Sequence, residues 1–249
     1  MKRNIIFSLI VFCFSLIGVA QAFSDHAMLY LRVGYNVGGT APMGLPASIR
    51  RLNSYTPLLT PAAGVDVLIP NNDWRGFLTG IRIERKAMEE DATVKNYHME
   101  ITQGGQTLAG MFTGDVTTRT SQWVVTVPLQ AVWRVNRVKL KVGPYASWVF
   151  AKDFSGWAHN GYLRVDDPTG AKVELGEADD ERGNYDFDEH VRNWQVGLAL
   201  GADWHLTRRI GVYADLNWGI TRVMKSDFHT IEQKLFPIYG TLGLTYRLR

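Results

Sequence analysis

The chain has almost no cysteine: Cys13 is the only one in 249 residues. An intrachain disulfide and a cysteine-based zinc site are therefore both excluded. Cys13 follows Val11-Phe12 inside an apolar run, whereas a lipidated cysteine needs small residues before it. Long apolar runs are scarce too, and beyond residues 5–19 nothing approaches the ~20 residues of a helical span. Neither sign of charge dominates, with 27 Lys and Arg against 24 Asp and Glu. No basic tract marks a nucleic-acid partner. HExxH and EF-hand spacings are missing, and the pairs Gly38-Gly39 and Gly104-Gly105 lack the Lys-Ser/Thr of a phosphate loop.

The N-terminus carries Lys2 and Arg3, the apolar run 5–19 and the small-residue pattern Ala20-Gln21-Ala22. This is the pattern of a secretory signal peptide over residues 1–22, cut after Ala22, with 23–249 as one domain. A retained anchor is the competing reading, but the run is short for one. Loss of Lys2 and Arg3 takes the basic count from 27 to 25, so the mature chain is close to neutral. An exported chain of this size without disulfides depends on burial and backbone pairing.

Aromatic residues are plentiful, with eight Trp and ten Tyr. They sit in a period-two pattern that recurs along the chain. In the last segment Ile238, Leu242, Leu244, Tyr246 and Leu248 share one face, and Tyr239, Thr241, Thr245 and Arg247 share the other. Comparable alternation predicts strands near 28–38, 63–69, 74–86, 119–133, 138–150, 193–204 and 210–220, which makes eight. The fourth has Trp123 and Trp133 at the two ends of its apolar row, as two interfacial girdles require. Short connections at 70–74, 134–137 and 205–209 alternate with long ones at 39–60, 87–118, 153–190 and 224–236. Within 87–118, the segment 97–101 has the pattern to extend a hairpin above the membrane. The expected fold is all-β: an eight-stranded antiparallel up-and-down transmembrane β-barrel with short periplasmic turns and four long extracellular loops, in the bacterial outer membrane.

The polar faces carry Arg32, Asp66, Arg82, Glu84, Lys139, Lys141, Asp203, Asp215 and Arg247 beside many glycines. An eight-stranded lumen is narrow, so these side chains are expected to pair and plug it. Two alternatives use the same alternation. A narrow porin-like solute channel needs a continuous wet lumen, and a secreted soluble ligand-binding barrel turns its apolar face inward.

Residues 38–57 include Pro42, Leu45-Pro46, Ile49-Arg50 and Asn53-Ser54-Tyr55. With Gly110-Met111-Phe112-Thr113-Gly114 and Val127-Pro128-Leu129, they resemble the PorT-like outer-membrane β-barrel family of Bacteroidota. The resemblance spans essentially the whole mature chain. It implies an eight-stranded barrel, and one branch of that family is associated with protein secretion across the outer membrane. Most members have no assigned activity.

Prolines and glycines in the first loop predict a folded cap, from which Arg50, Arg51, Asn53 and Tyr55 are the candidate interaction residues. The competing reading is that they tie the loop to its neighbours. Expected partners are outer-membrane lipid, lipopolysaccharide and proteins of the envelope or secretion machinery. Four of the six histidines fall in or beside the long loops, near the acidic runs 179–181 and 186–189, without metal-ligand spacing. Ser147 and the Ser226–His229 pair are the only candidates considered for a hydrolase, and neither has a visible base-and-acid relay. No enzyme activity, catalytic residue, metal or cofactor is expected.

Overall fold

The computed structural model describes residues 27–42, 47–166, 168–226, 228 and 234–248. The signal-peptide assignment lies outside them. Eleven strands form one antiparallel sheet. They are β1 (Met28–Pro42), β2 (Ile49–Pro57), β3 (Pro61–Pro70), β4 (Arg75–Gln103), β5 (Gln106–Val135), β6 (Val138–Val165), β7 (Lys172–Leu175), β8 (Gly183–Asp186), β9 (Trp194–His205), β10 (Ile210–Gly219) and β11 (Leu235–Arg247).

Eight of these strands close a ring in the order β1-β3-β4-β5-β6-β9-β10-β11. Pairing of β1 with β11, from Tyr30↔Arg247 to Pro42↔Leu235, joins the ends. Closure satisfies every backbone edge, which hydrocarbon demands. β2, β7 and β8 stand outside the ring and widen the upper parts of β4 and β6.

The predicted alternation holds in the ring. Leu31, Val33 and Val37 of β1, Phe77 of β4, Leu129 of β5, and Leu198 and Leu200 of β9 face outward and are exposed. Arg32, Asp66, Arg82, Glu84, Lys141 and Asp215 face inward and are buried. Trp133 and Trp123 lie ten residues apart on β5. At about 3.3 Å per residue and a tilt near 40°, that is a band roughly 25 Å high.

The long loops differ from the sequence expectation. Residues 87–118 are not a loop, because β4 and β5 continue as one hairpin to the turn at Gly104-Gly105. Likewise β6 runs on to Val165, and β7, β8 and a 3₁₀ turn at Asp188–His190 occupy much of 153–190. β2 fills the first loop and pairs with β4 from Ile49↔Val94 to Pro57↔Met88. The reason is a change of phase. Below Arg85 the apolar residues of β4 other than Leu78 point outward; above it Met88 and Val94 point inward, and a register shift between Val94 and Tyr97 puts Met99 and Ile101 on that same inner side. A period-two pattern followed from below loses the first of these segments; residues 97–101, expected to extend a hairpin above the membrane, do so within the β4–β5 pair.

The upper strands therefore enclose a second, apolar core. Ile101, Phe112, Phe154, Leu163, Val191 and Val223 are its most deeply buried large side chains, with exposures at or below 1%. The inner surface thus passes from charged to apolar at the level where the outer surface passes from apolar to polar, at Arg85, Ser121 and Asp153. That double inversion fixes the upper membrane boundary. Trp148, Trp194 and Trp218 are exposed toward it, and Trp74 and Trp204 at the opposite end.

Candidate functional site

Inside the ring, charge pairing is dense. Asp66 accepts from Arg32 Nη1 at 2.7 Å, Arg82 Nη2 at 2.9 Å and Arg82 Nε at 3.0 Å. Asp215 binds Arg32 Nη2 at 2.7 Å, Arg82 Nη1 at 3.3 Å and Lys141 Nζ at 2.9 Å. Lys141 also contacts Asp203. Glu84 accepts from Thr126 at 2.8 Å, and Lys86 lies 3.7 Å away. The Arg32 guanidinium stacks 3.7 Å from the centroid of the Tyr213 ring. Small residues make room for these groups: a Cβ on Gly201 would fall 2.0 Å from Asp215 Oδ1, and one on Gly80 2.6 Å from Asp66 Oδ1.

Charged side chains in low dielectric are stable only when paired and hydrogen-bonded. Here the same contacts that satisfy them also obstruct the axis, since none of the side chains in the Arg32, Arg82, Lys141, Asp66, Asp203 and Asp215 cluster is more than 9% exposed. Thr126, Ser147, Gln122 and Gln195 prolong the seal upward through hydrogen bonds of 2.7–2.8 Å. Ser147, considered above as a nucleophile, is bonded to Thr126 and so belongs to this seal.

The cap above the seal has an apolar interior and a polar exterior. A cavity of about 50 Å³ within the cap is lined by Thr40, Glu90, Tyr97, Met99, Phe154 and Tyr185, among others. Burial there pushes the Glu90 carboxyl up to about 7. On the outer face Asp91 Oδ2 accepts from Thr117 at 2.7 Å and meets His159 Nε2 at 3.1 Å. The same nitrogen also approaches the Thr117 hydroxyl at 3.2 Å. Hydroxyl and carboxylate thus compete for one imidazole nitrogen, whereas a nucleophile relay uses both. Burial raises and hydrogen bonds from Asn53, Thr117 and His159 lower the Asp91 carboxyl, with a net downward shift.

The four predicted interaction residues separate into two groups. Asn53 donates to Asp91 at 2.7 Å and to Thr93 at 3.0 Å, and Tyr55 donates to the Gly38 carbonyl, so both anchor β2. Arg50 and Arg51 are exposed on β2, outside every ion pair found among the described residues. Among those residues no group of three or more His, Cys, Asp and Glu side chains could hold a metal ion. His229 lies outside them. The Asp91–Thr117–His159 cluster escaped sequence reasoning because its members come from three strands, and Glu90 because it looks like any other loop carboxylate.

A closed antiparallel ring with an apolar belt, aromatic girdles and a charged interior defines a transmembrane β-barrel of the outer-membrane kind. The chain belongs to the outer membrane protein beta-barrel domain family, whose model matches residues 19–225. Among solved structures it is similar to Ail, the attachment invasion locus protein of Yersinia pestis, at 10% identity and TM-score 0.38, covering 89% of this chain and 97% of that one. It is also similar to OprG from Pseudomonas aeruginosa, at 11% identity and TM-score 0.36, covering 90% and 96%. No curated protein matches the chain. The strand pairing carries the fold assignment, and these low-scoring superpositions add nothing to it.

Proposed function

We propose that this outer-membrane barrel is a non-conducting, non-enzymatic anchor that displays its cap to another protein of the envelope. The observation that supports this most is the pairing of Arg32, Arg82 and Lys141 with Asp66, Asp203 and Asp215 across the axis. A channel would have to break several buried ion pairs to admit water, leaving charges uncompensated. The recognition surface would centre on Arg50 and Arg51, which the β2–β4 pairing holds on a fixed strand. Lipid surrounds the belt, and lipopolysaccharide meets the upper girdle. On the finer reading, a PorT-like accessory of secretion, support is confined to the residue resemblance in and after the first loop. Export would proceed through the signal peptide of residues 1–22, cut after Ala22, so the mature protein should begin at Phe23.

Planar-bilayer recording of the purified barrel tests the reading. A silent membrane is expected from wild type, and discrete openings from a variant in which Arg32, Arg82, Asp66 and Asp215 are all alanine. Steady openings from wild type would replace this reading with the porin-like one.

A further inference from the structure

The end of the barrel opposite the cap contains a recess of about 490 Å³, within the size range of small-ligand sites. Half of its ten lining residues are cations, Arg134, Arg137, Lys139, Arg208 and Arg247; His205 lies among them, and no carboxylate lines the recess. Two turns build it. The hairpin between β5 and β6 reverses in two residues, Asn136 and Arg137, with Asn136 at φ 55°. A two-residue hairpin requires that left-handed conformation, which Asn tolerates, and it sets Arg137 at the tip. Between β9 and β10 the Thr207 hydroxyl accepts from the Arg209 and Ile210 amides at 3.2 and 2.9 Å and places exposed Arg208 on the rim.

Lys139, only 4% exposed, donates to the Tyr30 hydroxyl at 2.6 Å and lies 3.9 Å from that ring's centroid. Its cross-strand neighbour Asp203 is engaged by Lys141. His205 Nε2 is buried with no hydrogen-bond partner. Like charges gathered in a recess repel one another, and in the free protein this arrangement costs stability. A bound anion reverses the cost. Guanidinium forks match the oxygens of phosphate, and convergence of several cations favours a ligand bearing more than one charge.

We infer that this recess is a binding site for a multiply charged phosphate ligand, with Arg134, Arg137, Arg208 and Lys139 supplying the recognition. The opening lies inside the ring of strands, which suits a free phosphorylated solute of the periplasm. An inner-leaflet lipid bearing two phosphates, such as cardiolipin, offers the same chemistry.

Isothermal titration of the full barrel in neutral detergent, with sodium tripolyphosphate as probe, tests the site. Saturable one-to-one binding that weakens with added salt is expected. The double variant Arg137→Ala/Arg208→Ala, altered at exposed turn tips, should keep the barrel's unboiled gel mobility and lose about tenfold or more in affinity. Lys95→Ala/Lys172→Ala, exposed at the other end, should bind as wild type does. In nanodiscs, a loss of probe affinity when cardiolipin, and not an equal charge of phosphatidylglycerol, is added to phosphatidylcholine would identify the lipid headgroup as the natural occupant; unchanged affinity would identify a free solute. Absence of saturable binding, or equal affinity in wild type and the Arg137/Arg208 variant, would overturn the assignment.

Discussion

Asp215 contacts three cations, Arg32, Arg82 and Lys141, and its carboxylate is almost wholly buried. Removing one member of such a cluster leaves the others charged and without solvent. Asp215→Ala should therefore destabilise the barrel by about 3–5 kcal/mol, read as a lower urea midpoint for the heat-modifiable band. Unchanged stability would mean that water already screens the cluster. Glu90 governs a different response. Burial raises its folded-state pKa from 4.5 to about 7, so between those values the folded state holds a proton that the unfolded state has released. Stability contributed by protonated Glu90 is present below the unfolded value and is lost as pH rises through 4.5 toward 7. Amide exchange in the cap hairpin, corrected for intrinsic rate, should be faster at pH 8 than at pH 5, and Glu90→Gln should remove that difference. Only one of the two announced its role in the sequence. Asp215 was legible as an inward charge from the alternation of β10, whereas Glu90 lies beyond the phase change in β4 and carried no signal.

The outward rows of β5 and β9 make the strongest claim about individual elements. Val127 and Leu198 are 39% and 51% exposed, which is costly for apolar side chains in water and favourable in lipid. Val127→Arg or Leu198→Arg should each cost roughly 2–4 kcal/mol of folding free energy in bilayers. Folding of both variants at wild-type midpoints would contradict the lipid-facing assignment. The cap obeys the rules of a soluble core. Phe112 has no exposed surface, and Phe112→Ala should cost about 3–5 kcal/mol there. Protease cutting within residues 87–118, with the membrane-embedded ring still resistant, is the expected readout. All eight ring strands could be read from sequence because each pairs one apolar face with one polar face over a full membrane height. Apart from residues 97–101, the upper halves of β4, β5 and β6 were not legible, because their apolar residues change sides near Arg85 and shift again beyond Val94. β2 was hidden for a simpler reason: apart from Ile49 its residues are all exposed, so it has no periodic face.

The molecule as a whole is an ion-sealed ring carrying an apolar-cored cap, with each half obeying the solvent around it. Its central claim is that one surface of the ring faces hydrocarbon while cap and turns face water on opposite sides of a membrane. Predicted cleavage after Ala22 would remove Cys13, so the mature chain offers a cysteine-free background in which single probes can be placed. Maleimide labelling of Arg50→Cys, Leu198→Cys and Asn136→Cys variants in whole cells tests the claim most directly. A membrane-impermeant reagent should label the Arg50 site in intact cells and the Asn136 site only after the outer membrane is opened. The Leu198 site should react with a lipid-soluble reagent alone. Labelling of the Leu198 site by the impermeant reagent, at a rate matching the Arg50 site, would contradict the account and restore the soluble barrel.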